Sequence, residues 1–492
     1  MVKALLLILI SLSSLALSTP SSYAQTAYAA SNGASSDAYN LPELGDGSSS
    51  QFSLEQEHEL GRVWLKAFRS QVTTVSDPLM QDYIENLTYQ LARHSQLSDK
   101  RLELVIVDSP ELNAFAVPGG VVGINNGLLT YAENESQLAG VLSHELAHLS
   151  QRHFARSLDK QKAGNLSMMA GLLAGIVLAA TTGSDAGMAA IATGQAAAMQ
   201  SQLRFSREHE QEADRIGMTT LAKAGMDPGG IPSMFEIMNR RLRFNSNKPP
   251  EFLLTHPLTD SRISDSENRA RQYPREVYTD SLNFQLMKKR AELSLAGNKR
   301  ELLTQWQHNL EKSPSEANTY GVVIALMAND SWDEADRTLK PLIEEDPNRI
   351  TYVVAQANIL AGKKAFSESA NLLRKHLDLN PGNNALTMTL ADVLQRMGRP
   401  HQAEELLSDH SKRRPEDPAL WYQLAEVHGL SGNILGVHMA RAEYFILRGY
   451  LDSAEKQLHY AWPLTENNNV ARHRVRKRLK DLQELRETLK KF

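Results

Sequence analysis

The sequence predicts two architectures in one chain: an α+β amino-terminal part, mostly helical around a small sheet, followed by an all-α solenoid. Three observations predict it. Between residues 102 and 129, compact runs rich in β-branched residues and glycine lie among helical segments. Directly after them comes His144-Glu145-Leu146-Ala147-His148, two histidines four apart in an apolar segment of helical spacing. Beyond residue 280 the strand-like runs stop, and a self-similar pattern recurs with a period of 34 residues.

The length, 492 residues, exceeds what one core needs and suggests roughly three domains. A formal net charge of −4 supplies no general electrostatic attraction for nucleic acid, so nucleic-acid partners are not expected. Cysteine is absent, which excludes disulfides, Cys-ligated zinc and a lipid-modified cysteine. Any metal must therefore sit on His, Asp or Glu.

Taken in order, the chain begins as an export signal. Lys3 is followed by the apolar run Ala4 to Leu17, broken at Thr19-Pro20 ahead of the small-x-small sequence Ser22-Tyr23-Ala24. Residues 1–24 are read as a signal peptide cleaved near Ala24, since the run is short of the roughly 20 residues that an uncleaved spanning helix needs. Residues 25–50 are poor in large apolar side chains and read as a disordered leader. The first domain is assigned to 51–275. Ser53 is an N-cap with Gln56 in the capping-box position, opening an amphipathic helix through Leu54, Val63, Leu65 and Phe68. A second helix covers 78–94, a strand lies in 102–108, and 113–129 reads as two short strands around a Pro-Gly-Gly turn. That places a sheet edge beside the following helix, where it can accept an extended peptide as an added strand.

On that helix, His144 and His148 lie one turn apart and can aim two imidazoles at one ion. Glu145, about 100° round, can take a proton from a metal-activated water without occupying a coordination position. Catalytic zinc sites commonly use three protein ligands, and the helical segment 205–225 supplies a third. Glu210 and Asp214 share one of its faces, whereas Glu212 lies about 200° from Glu210 and points away. Glu210 is the better ligand candidate. Asp214 is placed to orient a histidine ligand or to take part in proton transfer to the leaving group. Ala213 and Gly217 form a small-residue strip for close helix packing.

His-Glu-Leu-Ala-His, then Glu210-x-x-Ala213-Asp214, then His256-Pro257 with Arg262-Ile263, resembles the gluzincin family that contains HtpX and the CAAX prenyl endopeptidase. The resemblance covers about residues 55–270. It implies an α+β zincin-like metallopeptidase domain with His144, His148 and Glu210 as ligands of one Zn²⁺ per chain, Glu145 as base and Asp214 as a supporting or proton-donating residue. Asn113 to Gly120 is similar to the family's edge strand, although Gly-Ile-Asn-Asn-Gly after it departs from the more apolar segment usual there. His256 precedes a proline, which restricts the backbone and presents its imidazole at a fixed angle to the metal cleft. Two roles are open to it: stabilising an oxyanion, or filling the metal's fourth position as a displaceable restraint. The second is preferred, because an exported protease with no visible pro-segment needs some check on cleaving its neighbours.

Residues 163–203 are almost uncharged and dense in Ala, Gly and Met, and are read as an apolar helical hairpin that packs on the protein, leaving room for peripheral membrane contact. From 280 to 465, Pro347, Pro381 and Pro415 recur at 34 residues, as do Ala335, Ser369 and Ala403, and Ala357, Ala391 and Ala425, with Gly398 and Gly432 marking turns. This is the period of tetratricopeptide repeats, whose stacked helix pairs make a concave surface. Residues 466–492 form a basic amphipathic helix with Val475, Leu479, Leu482 and Leu489 on one face, suited to cap the solenoid or to dock an acidic partner.

An exported gluzincin joined to tetratricopeptide repeats resembles, over nearly the whole chain, proteases of the Gram-negative periplasm. The resemblance implies a periplasmic zinc endopeptidase with a chaperone-like part in outer-membrane protein quality control. It would degrade misassembled β-barrel proteins, promote assembly of others, and dock on the barrel-assembly machinery through its repeats. The alternatives are a repeat scaffold with minor proteolysis and a membrane-embedded protease.

Overall fold

The computed structural model describes residues 53–160, 206–244, 250–274 and 276–489. The expected signal peptide, the leader and the apolar insertion at 163–203 lie outside the described residues.

Helix α1, Leu54–Gln71, starts at the expected capping box: the Gln56 amide donates to Ser53 Oγ, and the Ser53 amide donates to Gln56 Oε1 at 2.8 Å. Helix α2, Pro78–His94, is capped by Asp77, whose Oδ1 accepts from the Leu79 and Met80 amides. Strands β1 (Glu103–Val107), β2 (Ala114–Val117) and β3 (Val121–Asn125) form a sheet of order β1-β3-β2, with β1 parallel and β2 antiparallel to β3. Leu104, Ile106, Val122 and Ile124 face the core shared with α2, while Val105, Val107, Phe115 and Val121 face Trp64 and Phe68 of α1. Burial on both faces explains why β1 is an unbroken apolar run rather than an alternating one.

Strand β3 ends earlier than the sequence suggests. After Asn125 the chain turns into helix α3, Asn126–Tyr131, so 126–129 is helical and not extended. Side chains make the turn: Asn125 Nδ2 donates to Ser109 Oγ, and Asn126 accepts from the Ser109 amide while donating to Asp108. Helix α4, Glu135–Ser150, carries the two spaced histidines and lies beside the edge strand β2. The short helix α5, His153–Lys160, follows a sharp bend at Arg152. Helix α6, Arg207–Lys223, crosses α4 closely; a Cβ on Gly217 would lie 3.2 Å from the His144 amide nitrogen, and Ala213 is fully buried. Helices α7 (Gly230–Phe244), α8 (Phe252–Thr255) and α9 (Asp260–Ala270) complete this part.

The rest is helical: α10 (Leu282–Leu295) and α11 (Lys299–Lys312) both pack on α12 (Glu316–Met327), and the hairpins are α12 with α13 (Trp332–Glu345), α14 (Ile350–Gly362) with α15 (Phe366–Leu379), α16 (Asn384–Arg396) with α17 (Pro400–Arg413), and α18 (Pro418–Leu430) with α19 (Ile434–Leu447). The small periodic positions Ala335, Ser369, Ala403, Ala357, Ala391 and Ala425 are all buried where helices cross. The turn within each hairpin needs one left-handed residue, and the 34-residue period extends to Asp330 and Lys364, with φ of 58° and 64°, ahead of Gly398 and Gly432. Helix α20 (Leu451–Ala461) is covered by α21 (Asn469–Leu489), which buries Val475 and Leu482.

The solenoid leaves the first part at Arg290, which donates to Asp77, and curls back so that Arg414 reaches Glu85 and Arg448 reaches Thr74. Between the contacts lies a cavity of about 1050 Å³ bounded by β1, α2 and the repeats. None of the described helices is long and apolar enough to cross a membrane.

Candidate metal centre

Helices α4 and α6 meet at a buried cluster of ionisable side chains. His144, His148, Glu210 and His256 each offer one ligand atom, and these atoms all lie within 4.8 Å of one another. His144 Nε2 is 3.0 Å from His148 Nε2, 3.5 Å from Glu210 Oε2 and 3.4 Å from His256 Nδ1. Glu210 Oε1 is 3.5 Å from His148 Nε2 and 3.0 Å from His256 Nδ1. Ligands about 2.0–2.1 Å from a zinc ion are separated by about 3.3 Å, and the separations among His144, His148 and Glu210, 3.0–3.5 Å, lie near that value. The donors are imidazole nitrogen and carboxylate oxygen, a set zinc accepts.

Charge points the same way. Glu145, Glu210 and Asp214 are buried against one guanidinium, that of Arg262, which leaves two negative charges when the histidines are neutral. A divalent cation on neutral imidazoles would balance them; without one, a proton on His144 offsets them in part. Burial raises the Glu145 carboxyl above its usual range. For Glu210, burial pushes the same way, but the charges of His256 and Arg262 with hydrogen bonds from His144 and His256 outweigh it and hold the carboxyl well below the usual range. Burial opposes charge on His144, yet its bonds to Asp214 and Glu210 lift it to about 9; burial and the neighbouring His144 charge drive His148 well down.

Glu145 sits one position round from the two histidines, 1% exposed, with its Oε1 3.6 Å from His256 Nε2. That oxygen has no hydrogen-bond partner among the described residues. The Ala116 amide of β2 reaches the same carboxylate. Asp214 Oδ1 accepts from His144 Nδ1 at 2.9 Å, and both Asp214 oxygens are held by Arg262 at 2.8 Å. Arg262 also meets Glu210 Oε2 at 2.7 Å and donates to the Pro257 carbonyl. His256 ends α8, its ring stacked on Phe252 at 4.5 Å. Glu212 faces away from the cluster, towards His153 and Arg156.

Two parts of this arrangement were not visible to sequence reasoning. Arg262 stands in the sequence pattern, but its clamp on two acids one turn apart on α6 needs the fold. His153, five residues beyond His148, would point elsewhere on a continuous helix; the left-handed Arg152, φ 50°, held to Glu57 at 2.7 Å, swings it back onto His148.

Residues 78–270 match peptidase family M48, and residues 360–427 match the tetratricopeptide repeat. The β-barrel assembly-enhancing protease of Escherichia coli (strain K12) is 33% identical over 458 residues, covering 92% of this chain and 93% of that one. A Yersinia pestis protein of the same name is 30% identical over 455 residues, with 92% and 93% covered. The mitochondrial metalloendopeptidase OMA1 of Schizosaccharomyces pombe is 31% identical over 185 residues, 37% of this chain and 50% of that one.

Proposed function

Because this chain belongs to peptidase family M48, in company with the β-barrel assembly-enhancing proteases, and is a metalloendopeptidase bearing tetratricopeptide repeats, we propose that His144, His148 and Glu210 hold its zinc, that Glu145 is the general base, and that His256 is a displaceable occupant of the fourth corner. The convergence of four buried ligand atoms within 4.8 Å of one another carries this reading. Zinc supplies Lewis acidity, polarising the scissile carbonyl and acidifying water. Glu145 accepts the water's proton on the oxygen that lacks a partner and passes it to the leaving amine; its burial-raised carboxyl suits that shuttle. Asp214, with both oxygens engaged, orients His144 through Nδ1 rather than donating a proton. The hydrogen-bond parity of the sheet turns the backbone groups of Ala114 and Ala116 outward on the edge strand, where an extended substrate can add.

His256 makes close contacts with His144, Glu210 and Glu145, so a substrate carbonyl must displace it. His256→Ala should retain zinc and cleave a flexible peptide faster; slower cleavage with zinc retained assigns it to the oxyanion instead.

The division into a protease region at 51–275, repeats at 280–465 and a capping helix at 466–492 fits this reading. At the level of the cell, we propose a periplasmic enzyme of outer-membrane quality control, degrading misassembled β-barrel proteins and promoting assembly of others while its repeats dock on the assembly machinery. The names of the relatives and the export-type amino terminus support this. Glu145→Gln tests it: the variant should keep zinc, lose roughly 10³-fold in cleavage rate, and trap outer-membrane proteins in cells. Normal barrel assembly with no trapped barrel protein would overturn the cellular assignment.

A further inference from the structure

His144 and His148 occupy equivalent places in the cluster, yet their outward nitrogens are held differently. His144 Nδ1 meets the carboxylate of Asp214 directly. His148 Nδ1 meets His153 Nδ1 at 2.9 Å, and His153 Nε2 meets Glu212 Oε2 at 3.1 Å. Arg156 Nη1 donates to that same Glu212 oxygen at 3.0 Å.

We propose that His153 and Glu212 are positioning residues for His148: a carboxylate–imidazole relay that fixes the tautomer and aim of this metal ligand, as Asp214 does for His144. The relay rests on the reading of His148 as a ligand. Its direction follows from an ionised Glu212 and a neutral His153. An ionised carboxylate only accepts, so His153 carries its proton on Nε2 and donates to Glu212. In the neutral imidazole His153 Nδ1 is then an acceptor, and His148 donates from its own Nδ1. That leaves the His148 Nε2 lone pair facing His144 and Glu210, where a cation belongs. With the opposite tautomer, His148 Nδ1 and His153 Nδ1 would set two lone pairs 2.9 Å apart.

The surroundings hold the relay in place. The His153 side chain is fully buried, and its ring stacks on His209 at 4.3 Å with an interplanar angle of 9°. The left-handed backbone at Arg152 turns His153 inward, and the Arg152–Glu57 ion pair secures the bend. Left-handed backbone is unfavourable for an arginine, and its use where the chain must double back onto a ligand is the kind of local strain found at functional positions. Glu212 points away from Glu210, towards His153 and Arg156, and acquires its role from that direction.

The experiment is zinc affinity by competition with a chromophoric chelator, on the full chain, supported by the visible spectrum of the Co²⁺-loaded protein. His153→Phe keeps the stacked ring and removes both hydrogen bonds; it should weaken zinc binding by about 10–100-fold and alter the cobalt bands. His153→Gln, whose amide oxygen can accept from His148, should recover part of the loss. Glu212→Gln should weaken binding less, and His153→Phe with Glu212→Gln should bind no more weakly than His153→Phe alone, because Glu212 acts through His153. Parent-like affinity in His153→Phe, or additive losses in the double variant, overturns the relay. A parent protein that binds no zinc overturns the ligand assignment instead. Should His153→Phe fail to fold, His153→Gln paired with Glu212→Gln gives the same test of additivity.

Discussion

The metallopeptidase part and the repeats bury different things at their helix crossings. Where α4 meets α6, the crossing holds His144, Glu145, His148, Glu210 and Asp214, none more than 4% exposed, closed off by Arg262 from α9. Where repeat helices cross, the buried positions are Ala357, Ala391, Ala425, Ala335, Ser369 and Ala403, none more than 2% exposed. The first arrangement makes each residue depend on several others, since a buried charge tolerates no lost partner. In the second, each small residue answers only to the neighbouring helix, as expected of stacked repeats. A single replacement should therefore be costly and chemically specific in one region, moderate and sterically specific in the other.

The largest test of that contrast is Arg262→Met. It leaves Glu210 and Asp214 buried without their cation, and should cost about 3–5 kcal/mol in urea denaturation of the zinc-free protein, with part of the loss restored by zinc. A cost under 1 kcal/mol would mean the acids are neutral in the fold and the charge argument for the centre is wrong. Ala391→Leu at a repeat crossing should cost about 1–3 kcal/mol by overpacking and leave zinc content unchanged; lost zinc would show that the two regions are coupled more tightly than nearest-neighbour stacking implies.

A pH test sharpens the contrast. His410 in α17 is buried with Nε2 2.9 Å from Asn384 Oδ1. Burial, helped by the charge of Arg414, lowers it from 6.5 to about 4. Between those values the unfolded chain binds a proton that the folded repeat refuses, so its contribution is complete above pH 6.5 and is lost progressively down to about 4. The urea midpoint of the parent should fall more between pH 7.5 and pH 5 than that of His410→Gln; identical falls would place the acid sensitivity elsewhere. The smallest effect belongs to Lys364, whose φ of 64° stands where later repeats carry glycine. Lys364→Gly should stabilise by roughly 0.5–1 kcal/mol, with cleavage and zinc unaffected.

The residues differ in how far the chain alone announces them. A spacing of four on a helix is local geometry, so His144 and His148 are legible as a pair, and Glu145 with them. The 34-residue period is likewise local, because each hairpin repeats the same turn and the same close crossing. Glu210 could be preferred over Glu212 from helical angles, but only as the better face of one helix.

By itself the sequence determined the helices, the capping box at Ser53, the short sheet, the repeat period and the residue types from which a zinc site can be built. Each of these depends on residues within a turn or a hairpin of one another. Tertiary structure decided the rest: the approach of α6 to α4 over Gly217, the Arg262 clamp on Glu210 and Asp214, the turn of 126–131 into helix, the return of the repeats onto Glu85 and Thr74, and the inward swing of His153 at Arg152. These join residues tens to hundreds of positions apart, or depend on a backbone conformation that an arginine does not favour. Their partners are set by packing, which no local periodicity encodes.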